Sequence, residues 1–467
     1  MRLAFLKKKI YKFIVLLLFI VATSFIAQYH EYWADEAHAW LLARDASIFE
    51  LFTKYLHSDG HPILWHLVIK FFQFLGLSYD NFNFISFLFS SLGVSVFLFK
   101  SKFKWYIKFL LPFTYFIFFQ YTVVSRGYSL LFFLLSCLAA IWESRSKYYV
   151  VFTILLLLLL SSEVYMFLVA GSLYFLELID YLKHKKTRTK VKLVCLIILF
   201  FSFLMTAIYV FPYSTNTFNP ISSRNYIISD SFITSFNFNN VISIIISILL
   251  VLLIIIVYLK KNNFYYFIQS FIIIFPVISF MQIKYYNLWH LGIPFLIFIF
   301  IVWIQKLHQN KIIIFILLFS CIFQTLWSFS SSWYDINNSY SPVNEVVKEI
   351  KKYDYKNLVI YGSGFYDSSY NPYFEKNIYS NWNREIGFFY WDTSNIYYDI
   401  SIAADSILNN NIDILIVSPL FTKRDYSSLL EYYNMYEFSG ATYFQNFVYE
   451  DMTTYIYVRK ELDVNKL

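Results

Sequence analysis

Charged side chains are scarce in this chain of 467 residues, because Asp, Glu, Lys and Arg make up only 15% of it while apolar residues make up 58%. A soluble globular protein averages nearer ~25% charged residues, so the composition excludes an ordinary soluble domain and favours a membrane protein. The segment Val241–Leu259 carries no charge at all. It is close to the ~20 residues that a helix needs to cross the hydrocarbon core of a bilayer.

Cysteine is scarce as well, and the three cysteines, Cys137, Cys195 and Cys321, lie in apolar stretches. This distribution implies no disulfide framework. Cys and His are nowhere grouped closely enough for zinc, and a complete G-x-G-x-x-G motif is absent. We therefore expect no cofactor and leave only a divalent metal open. The net charge of +8 comes from basic residues between apolar segments, so it indicates no nucleic-acid partner.

The N-terminus combines a basic cluster with an apolar segment. Basic residues from Arg2 to Lys12 precede the apolar segment Phe13–Ala27. A signal peptide would end in a small-residue cleavage site, but the bulky aromatic segment Tyr29–Trp33 follows instead. The positive-inside rule places the basic end in the cytoplasm. We predict an uncleaved first span with its N-terminus in the cytoplasm.

The later loops alternate between rich and poor in basic residues. The rich loops are Lys100–Lys108, Arg145 with Lys147, Lys183–Lys192, Lys260–Lys261, and Lys306 with Lys311. The poor loops are Tyr121–Tyr128, Phe211–Asn240 and Met281–His290, with the single basic residues Arg126, Arg224 and Lys284. By the positive-inside rule this alternation predicts about eleven spans in a bacterial-type inner (cytoplasmic) membrane, with the C-terminus outside.

One apolar segment does not fit as a span. In His61–Gly76 the apolar residues recur at helical spacing, and Trp65, His66, Lys70 and Gln73 occupy the other side. About 15 residues are too few to cross a bilayer, so we predict a helix that lies parallel to the outer surface. It belongs to a long first outer loop, in which Ser47–Glu50 matches a capping box that opens another short helix.

The character of the chain changes after about residue 330. Val343–Lys352 has the pattern of an amphipathic helix. Leu358–Tyr361 and Ile412–Val417 are typical of buried strands, and Val448–Val458 of a hairpin or strand pair. We predict an all-α transmembrane domain over residues 1–330 and a small extracytoplasmic α/β domain over residues 331–467.

The segment Trp33–Trp40 contains two adjacent carboxylates, Asp35 and Glu36, among aromatic residues just after the first span. Carboxylates at a membrane surface are costly unless they are paired, solvated or used in chemistry. An acidic first turn of a helix explains the same pattern without any function.

Several short motifs, taken in order, resemble the GT-C superfamily of integral-membrane glycosyltransferases, which includes protein O-mannosyltransferases and aminoarabinose transferases. The motifs are Trp33–Trp40, Arg44-Asp45, Asp59–Trp65, Val124–Tyr128 and Trp289–Gly292. The likeness covers about residues 1–330. It departs from the family where Arg126 has no acidic neighbour and where Trp289 replaces an arginine before His290.

The resemblance implies a glycosyltransferase that moves a sugar from a polyprenyl-phosphate donor to a glycan, lipid or protein acceptor outside the cytoplasm, with inversion. It makes Asp35 the catalytic base, with Glu36 positioning the acceptor or its neighbour. Arg126, Lys284 and His290 are our candidates for the leaving phosphate, because cations stabilise that charge. Trp33, His61 and Trp289 are candidates to line the substrate site, although tryptophan is more typical of the membrane interface.

Three alternatives stay open at this point. The first is a transporter or flippase for a lipid-linked sugar, which usually has ionisable residues near the midplane of the bilayer. The second is a polysaccharide polymerase, although the long loop Phe211–Asn240 holds a single arginine. The third is a scaffold that binds a partner through the C-terminal domain. Membrane lipid is a partner in each case.

Overall fold

The computed structural model describes residues 2–59, 61–185, 188–210, 227–232, 240–260, 264–283, 287–362, 364–382, 387–388, 407, 411–417, 426–445 and 447–463. The chain divides into two compact units. The first, here called the helical unit, comprises Met1–Phe25, Gly60–Leu64 and Asn83–Ser330. The second, the mixed unit, comprises Ile26–Asp59, Trp65–Phe82 and Ser331–Leu467. Most of the first loop thus belongs to the same unit as the C-terminal segment.

Apolar α-helices make up most of the helical unit: Arg2–Ile26, Asn83–Lys100, Trp105–Leu110, Tyr128–Ile141, Tyr149–Leu160, Val164–Lys183, Lys190–Val210, Ile227–Phe232, Asn240–Lys260, Phe264–Ile283, Gly292–Ile304 and Lys311–Asn337. Phe116–Val123 is π-helical, and short 3₁₀ turns cover Leu111–Phe113, Trp142–Ser144, Leu288–Leu291 and Leu307–Gln309.

Six helices within the described ranges are long and apolar enough to cross a membrane: Lys9–Ile26, Tyr79–Lys100, Val164–Lys183, Lys190–Val210, Phe264–Ile283 and Lys311–Asn337. Their exposed sides are apolar. In the first helix Phe13, Leu17 and Val21 are each more than half exposed and form one stripe, while Val15 and Phe19 are buried. Such stripes suit lipid and not water. The structure therefore supports a polytopic helical membrane protein, and the number of eleven spans stays a prediction.

The mixed unit contains a four-stranded sheet in the order β1-β2-β6-β3. Its strands are β1 (Ile360–Gly362), β2 (Ile414–Val417), β3 (Tyr433–Phe438) and β6 (Thr454–Arg459). β1 and β2 are parallel, and the other pairs are antiparallel. All four residues of β2 are buried, because Ile414 and Ile416 face one apolar cluster and Leu415 and Val417 face another. The predictions for β1 and β2 are confirmed.

Of the hairpin or strand pair predicted over Val448–Val458, the two strands are confirmed, but the prediction that they pair with each other is wrong. Two strands do form there, but β5 (Phe447–Asp451) pairs with β4 (Ala441–Phe444) in a separate two-stranded sheet. β6 pairs instead with β2 and β3. The connection Met452-Thr453 lacks the Gly or Asn that a two-residue hairpin turn requires, and Met452 is buried. The chain therefore passes from one sheet to the other.

Short helices of the mixed unit cover Ala34–Asp45, Ile48–Glu50, Leu56–Asp59, Leu64–Phe74, Val343–Ile350 and Lys460–Asp463, with a π-helical turn at Leu51–Tyr55. Further 3₁₀ turns lie at Tyr79–Asn81, Tyr355–Asn357, Phe365–Ser369, Asn371–Tyr373 and Ser427–Glu431. The predicted capping box is confirmed, because the Ser47 hydroxyl accepts from the Glu50 N–H while the Glu50 carboxylate accepts from the Ser47 N–H.

The two-faced segment His61–Gly76 forms a helix over Leu64–Phe74, and Gly76 follows it in the left-handed conformation (φ 87°) that commonly ends helices. Its polar side holds the helix Ala34–Asp45. Lys70 Nζ donates to the carbonyl oxygens of Ala43 and Ala46 at 2.6 and 2.8 Å. The apolar side is exposed instead, with Phe74 86% exposed.

We expect the exposed side of helix Leu64–Phe74 to lie against lipid. Spin labels on cysteines at partly exposed Leu67 and exposed Phe74, which are about two turns apart on the same side, should both be relaxed by oxygen dissolved in the bilayer. The two labels should lie at the same depth. A control label at exposed Tyr432 should respond to a water-soluble nickel chelate. Seven residues span about 10 Å along a helix, so label depths that differ by most of that length would show a helix inserted end-on and contradict the predicted orientation.

Candidate functional site

Arg126 is the centre of a cluster of aromatic and ionisable side chains in the helical unit, here called the Arg126 cluster. It lies in the short turn between the π-helical segment Phe116–Val123 and the helix Tyr128–Ile141. Its guanidinium carbon is 5.4 Å from the ring centroids of both Tyr128 and Trp289. Stacking of this kind leaves the planar edge of the guanidinium able to bind an anion with two hydrogen bonds.

His290 enters the cluster from the turn Leu288–Leu291 and is 1% exposed. Its Nδ1 accepts a hydrogen bond of 2.7 Å from the backbone N–H of Asn287. An accepting Nδ1 carries no proton, so the ring is neutral and its proton is on Nε2. His290 can therefore donate a hydrogen bond to an anion, but it adds no positive charge while the Asn287 bond is intact.

The backbone of the turn Leu288–Leu291 and of the following Gly292 packs closely against Tyr121, which fixes the position of the turn. The Tyr121 hydroxyl donates to the Trp289 carbonyl at 2.7 Å. A Cβ at Gly292 would lie 2.3 Å from the Tyr121 oxygen and 2.6 Å from the Phe116 ring. Since only glycine avoids that overlap, Gly292 allows Trp289 and His290 to pack beside Tyr121.

The carboxylate of Glu163, which was not among the predicted site residues, completes the cluster. Glu163 Oε2 is 3.0 Å from Nδ1 of His61, and the Glu163 side chain is only 4% exposed. Glu163 also caps the helix Val164–Lys183, where its Oε1 accepts from the Val164 N–H. Two signals could have found it: it lies three residues after the leucine-rich end of the apolar helix Tyr149–Leu160, and it lies between two basic loops, which places it on the predicted outer side.

The His61–Glu163 pair and Arg126 belong to one site. Glu163 and Arg126 both interact electrostatically with Tyr128, and His61 and Arg126 do so with His290. The Tyr128 hydroxyl is buried and has no hydrogen-bond partner among the described residues. A buried polar atom of this kind normally pairs with protein, water or ligand, so the cluster offers a donor to a bound molecule.

The acidic motif lies in the mixed unit, on the helix Ala34–Asp45. Glu36 is fully buried, and its Oε2 accepts from the Trp33 N–H and lies 3.1 Å from Nε2 of His30. The other nitrogen of His30 is 3.1 Å from Asp335 Oδ2. Burial alone lowers the pKa of His30, but the Asp335 and Glu36 carboxylates outweigh it and raise that pKa to about 10.

Asp35 and Glu36 therefore differ in environment, although they are adjacent in the sequence. Asp35 lies in the first turn of the helix and is partly exposed, as a group that meets substrate must be. Glu36 is held in the His30 pair and fixes the start of the helix that carries Asp35. Trp33 is buried immediately before that helix. The catalytic role of Asp35 stays a prediction.

Replacing His30 by glutamine should destabilise the mixed unit, because two buried carboxylates lose the cation between them. Breaking such a pair typically costs ~3–5 kcal/mol. Because folding raises the pKa of His30, the protonated ring stabilises the mixed unit fully at pH values below the unfolded-state pKa of about 6.5. This stabilisation is lost as pH rises through the folded-state pKa of about 10. The difference in Tm between wild type and variant, measured in detergent, should therefore become smaller as pH rises between these two pKa values. A difference in Tm that does not change with pH would contradict a protonated His30.

The predicted site residues thus fall into two groups. Arg126, Trp289, His290 and His61 lie together in the helical unit, whereas Asp35, Glu36 and Trp33 lie in the mixed unit. Lys284 and Arg224 lie outside the described residues. Across the described ranges, no three His, Cys, Asp or Glu side chains are grouped so as to hold a metal ion.

No protein-family model, no curated protein and no solved structure matches this chain.

Proposed function

We propose that this membrane protein is a glycosyltransferase that takes a sugar from a polyprenyl-phosphate donor and transfers it on the extracytoplasmic face. The observation that supports the proposal best is the Arg126 cluster. Three separate loops that the charge pattern places outside the cytoplasm contribute Arg126, Glu163 and His290 to one site. An arginine that packs against two aromatic rings, beside hydrogen-bond donors, suits the phosphate of a lipid-linked donor.

In the proposed reaction the acceptor hydroxyl oxygen attacks the anomeric carbon of the donor. The bond from that carbon to the phosphate oxygen breaks, and the polyprenyl phosphate leaves with the bonding electron pair. Arg126 stabilises the charge that develops on the leaving phosphate, and His290 Nε2–H donates to it. The acceptor proton passes to a base, for which Asp35 is the proposed residue. Direct displacement of this kind inverts the anomeric centre.

His61 is a second candidate for the proton acceptor. A carboxylate on one ring nitrogen of histidine fixes the ring and its tautomer. Glu163 holds Nδ1 of His61 in this way at 3.0 Å. If Nδ1 carries the proton that this bond shares, Nε2 is the nitrogen that accepts one from substrate. Glu163 would then be a positioning residue, since it acts through His61.

The direct test uses purified protein in bilayers with a radiolabelled polyprenyl-phosphate hexose and cell-envelope extract as acceptor. We expect free polyprenyl phosphate and a labelled product to appear together, at equal rates. Protein heated before the assay is the control. If the donor stays intact while label crosses the bilayer, the chain moves the lipid-linked sugar and does not cleave it.

That second outcome corresponds to a transporter or flippase, which one observation favours. A buried carboxylate paired with histidine inside a membrane unit is typical of proton-coupled transport, and Glu163 with His61 is such a pair. The two functions differ in one chemical requirement. A transporter breaks no glycosidic bond, so it consumes no donor and needs no base for an acceptor hydroxyl.

A further inference from the structure

The helical unit contains a small cavity of about 170 Å³ whose lining residues are distinct from those of the Arg126 cluster. Three lysines and one histidine line it, together with two tryptophans: Lys100, Lys102, Lys306, His308, Trp142 and Trp303. Glu143 is the single acidic residue in the lining. Three lysines against one glutamate leave the cavity with a net positive charge, so it favours an anion.

The backbone of Lys306 indicates that this cavity is a built feature. Lys306 adopts the left-handed conformation, with φ 56° and ψ 32°, between the helix Gly292–Ile304 and the turn Leu307–Gln309. A lysine rarely adopts this conformation, and residues held in it cluster at functional sites. Its Nζ lies 3.2 Å from Glu143 Oε1. The tight turn thus places an ammonium group at the rim, where Glu143 holds it.

The aromatic lining fits the position of the cavity at a membrane boundary. Trp303 packs edge-on against Phe97 and Phe103 at 5.8 and 6.2 Å. Arg145 stacks on the other tryptophan, Trp142, at 4.2 Å and adds a cation nearby. Tryptophan rings beside lysine side chains are typical of the headgroup layer. The lining residues lie in, or directly before, three of the basic loops that the charge pattern places in the cytoplasm.

We propose that this cavity binds the phosphate group of an anionic phospholipid from the cytoplasmic leaflet. Basic pockets between membrane helices on the cytoplasmic side suit such headgroups, and the leaflet is rich in anionic lipid. The ammonium groups of Lys100, Lys102 and Lys306 bind the phosphate, while the tryptophans contact the glycerol and the upper acyl chain. The site is independent of the proposed glycosyltransferase activity. Free phosphate shares the same chemistry and is separated from lipid by the experiment.

The experiment measures binding of fluorescent phosphatidylglycerol to the full-length protein in a zwitterionic detergent. A variant with Lys100, Lys102 and Lys306 all replaced by glutamine should bind about 100-fold more weakly, as expected for three lost lysines. The matched control replaces three exposed lysines of the basic loops outside the cavity, Lys104, Lys147 and Lys183. It loses the same charge, and we expect less than a three-fold change.

A second arm adds inorganic phosphate as competitor. Displacement of the lipid by phosphate at low millimolar concentration supports a site for the phosphate group itself, and lack of displacement supports one that also needs the lipid glycerol and chain. An equal loss in both triple variants, or no loss in either, would overturn the proposal. Lys306→Arg keeps the charge and should keep binding. If the triple variant does not fold, binding is measured with Lys100→Gln and Lys102→Gln separately, because both side chains are exposed. Each single variant should then bind the lipid more weakly than wild type.

Discussion

Asp35→Asn should reduce sugar transfer by about 10²–10⁴-fold, which is the usual contribution of a general base, and should leave folding near wild type. Asparagine has almost the same shape as aspartate but accepts no proton at neutral pH. Because Asp35 is partly exposed and lies in a helix first turn, we expect this near-isosteric substitution to leave the helix Ala34–Asp45 intact. The measurement is product formation from a polyprenyl-phosphate hexose, quantified by mass spectrometry.

A matched control is available on the same helix. Asp45→Asn makes the same chemical change at the last residue of Ala34–Asp45, where the carboxylate pairs with Arg44 at 2.6 Å. We expect it to keep at least half of the activity. If Asp35→Asn keeps full activity and His61→Asn does not, the base is the His61–Glu163 pair. If both keep full activity, the proposed mechanism is wrong, even with the membrane fold unchanged.

Arg126→Ala should raise the donor KM by about 10- to 100-fold, because a hydrogen bond to a charged group contributes ~1.5–3 kcal/mol. The turnover number should fall as well, since charge grows on the phosphate as it leaves. Arg126→Lys keeps the charge but loses the planar group between Tyr128 and Trp289. We therefore expect lysine to restore only part of the affinity for donor.

Arg145→Ala is the control for this substitution, since Arg145 is also stacked on a tryptophan, at 4.2 Å from Trp142. Its partner Glu177 keeps a second cation, Lys192, at 2.9 Å. We expect kinetic constants for the donor within two-fold of wild type. A comparable rise in KM for Arg145→Ala would mean that both arginines act through overall charge, which contradicts a specific phosphate contact at Arg126.

The fold was predictable from sequence where one physical effect dominates. Apolar segments such as Val241–Leu259 predicted helices, because a helix satisfies its own backbone hydrogen bonds in lipid, and a helix is found there over Asn240–Lys260. The capping box at Ser47 is a local interaction and was confirmed residue for residue. In the C-terminal segment the apolar run Ile412–Val417 predicted a buried strand, and the strand forms over Ile414–Val417. The pairing of β5 and β6 depends on contacts with other strands, and the local sequence pattern wrongly predicted that they pair with each other.

The site was only partly predictable for the same reason. Arg126, Trp289, His290 and His61 were selected one by one from loops, and the structure brings them into one unit. Glu163 was missed because a carboxylate at a helix start is explained by capping alone; its contact with His61 joins residues 102 positions apart. His30 was missed because its partner Asp335 lies 305 positions further along the chain. No local sequence pattern shows that these two residues pair.

The contact of His30 with Asp335 has a consequence for biogenesis. While the chain is being synthesised, Glu36 and His30 emerge early, but Asp335 is absent until 305 further residues have been added. At about 5–20 residues per second this interval is roughly 15–60 s. During this interval the first loop contains His30 and Glu36 without their third partner, Asp335. Because of this delay we expect a chaperone to shield the nascent loop. We also expect chains truncated before Asp335 to be degraded.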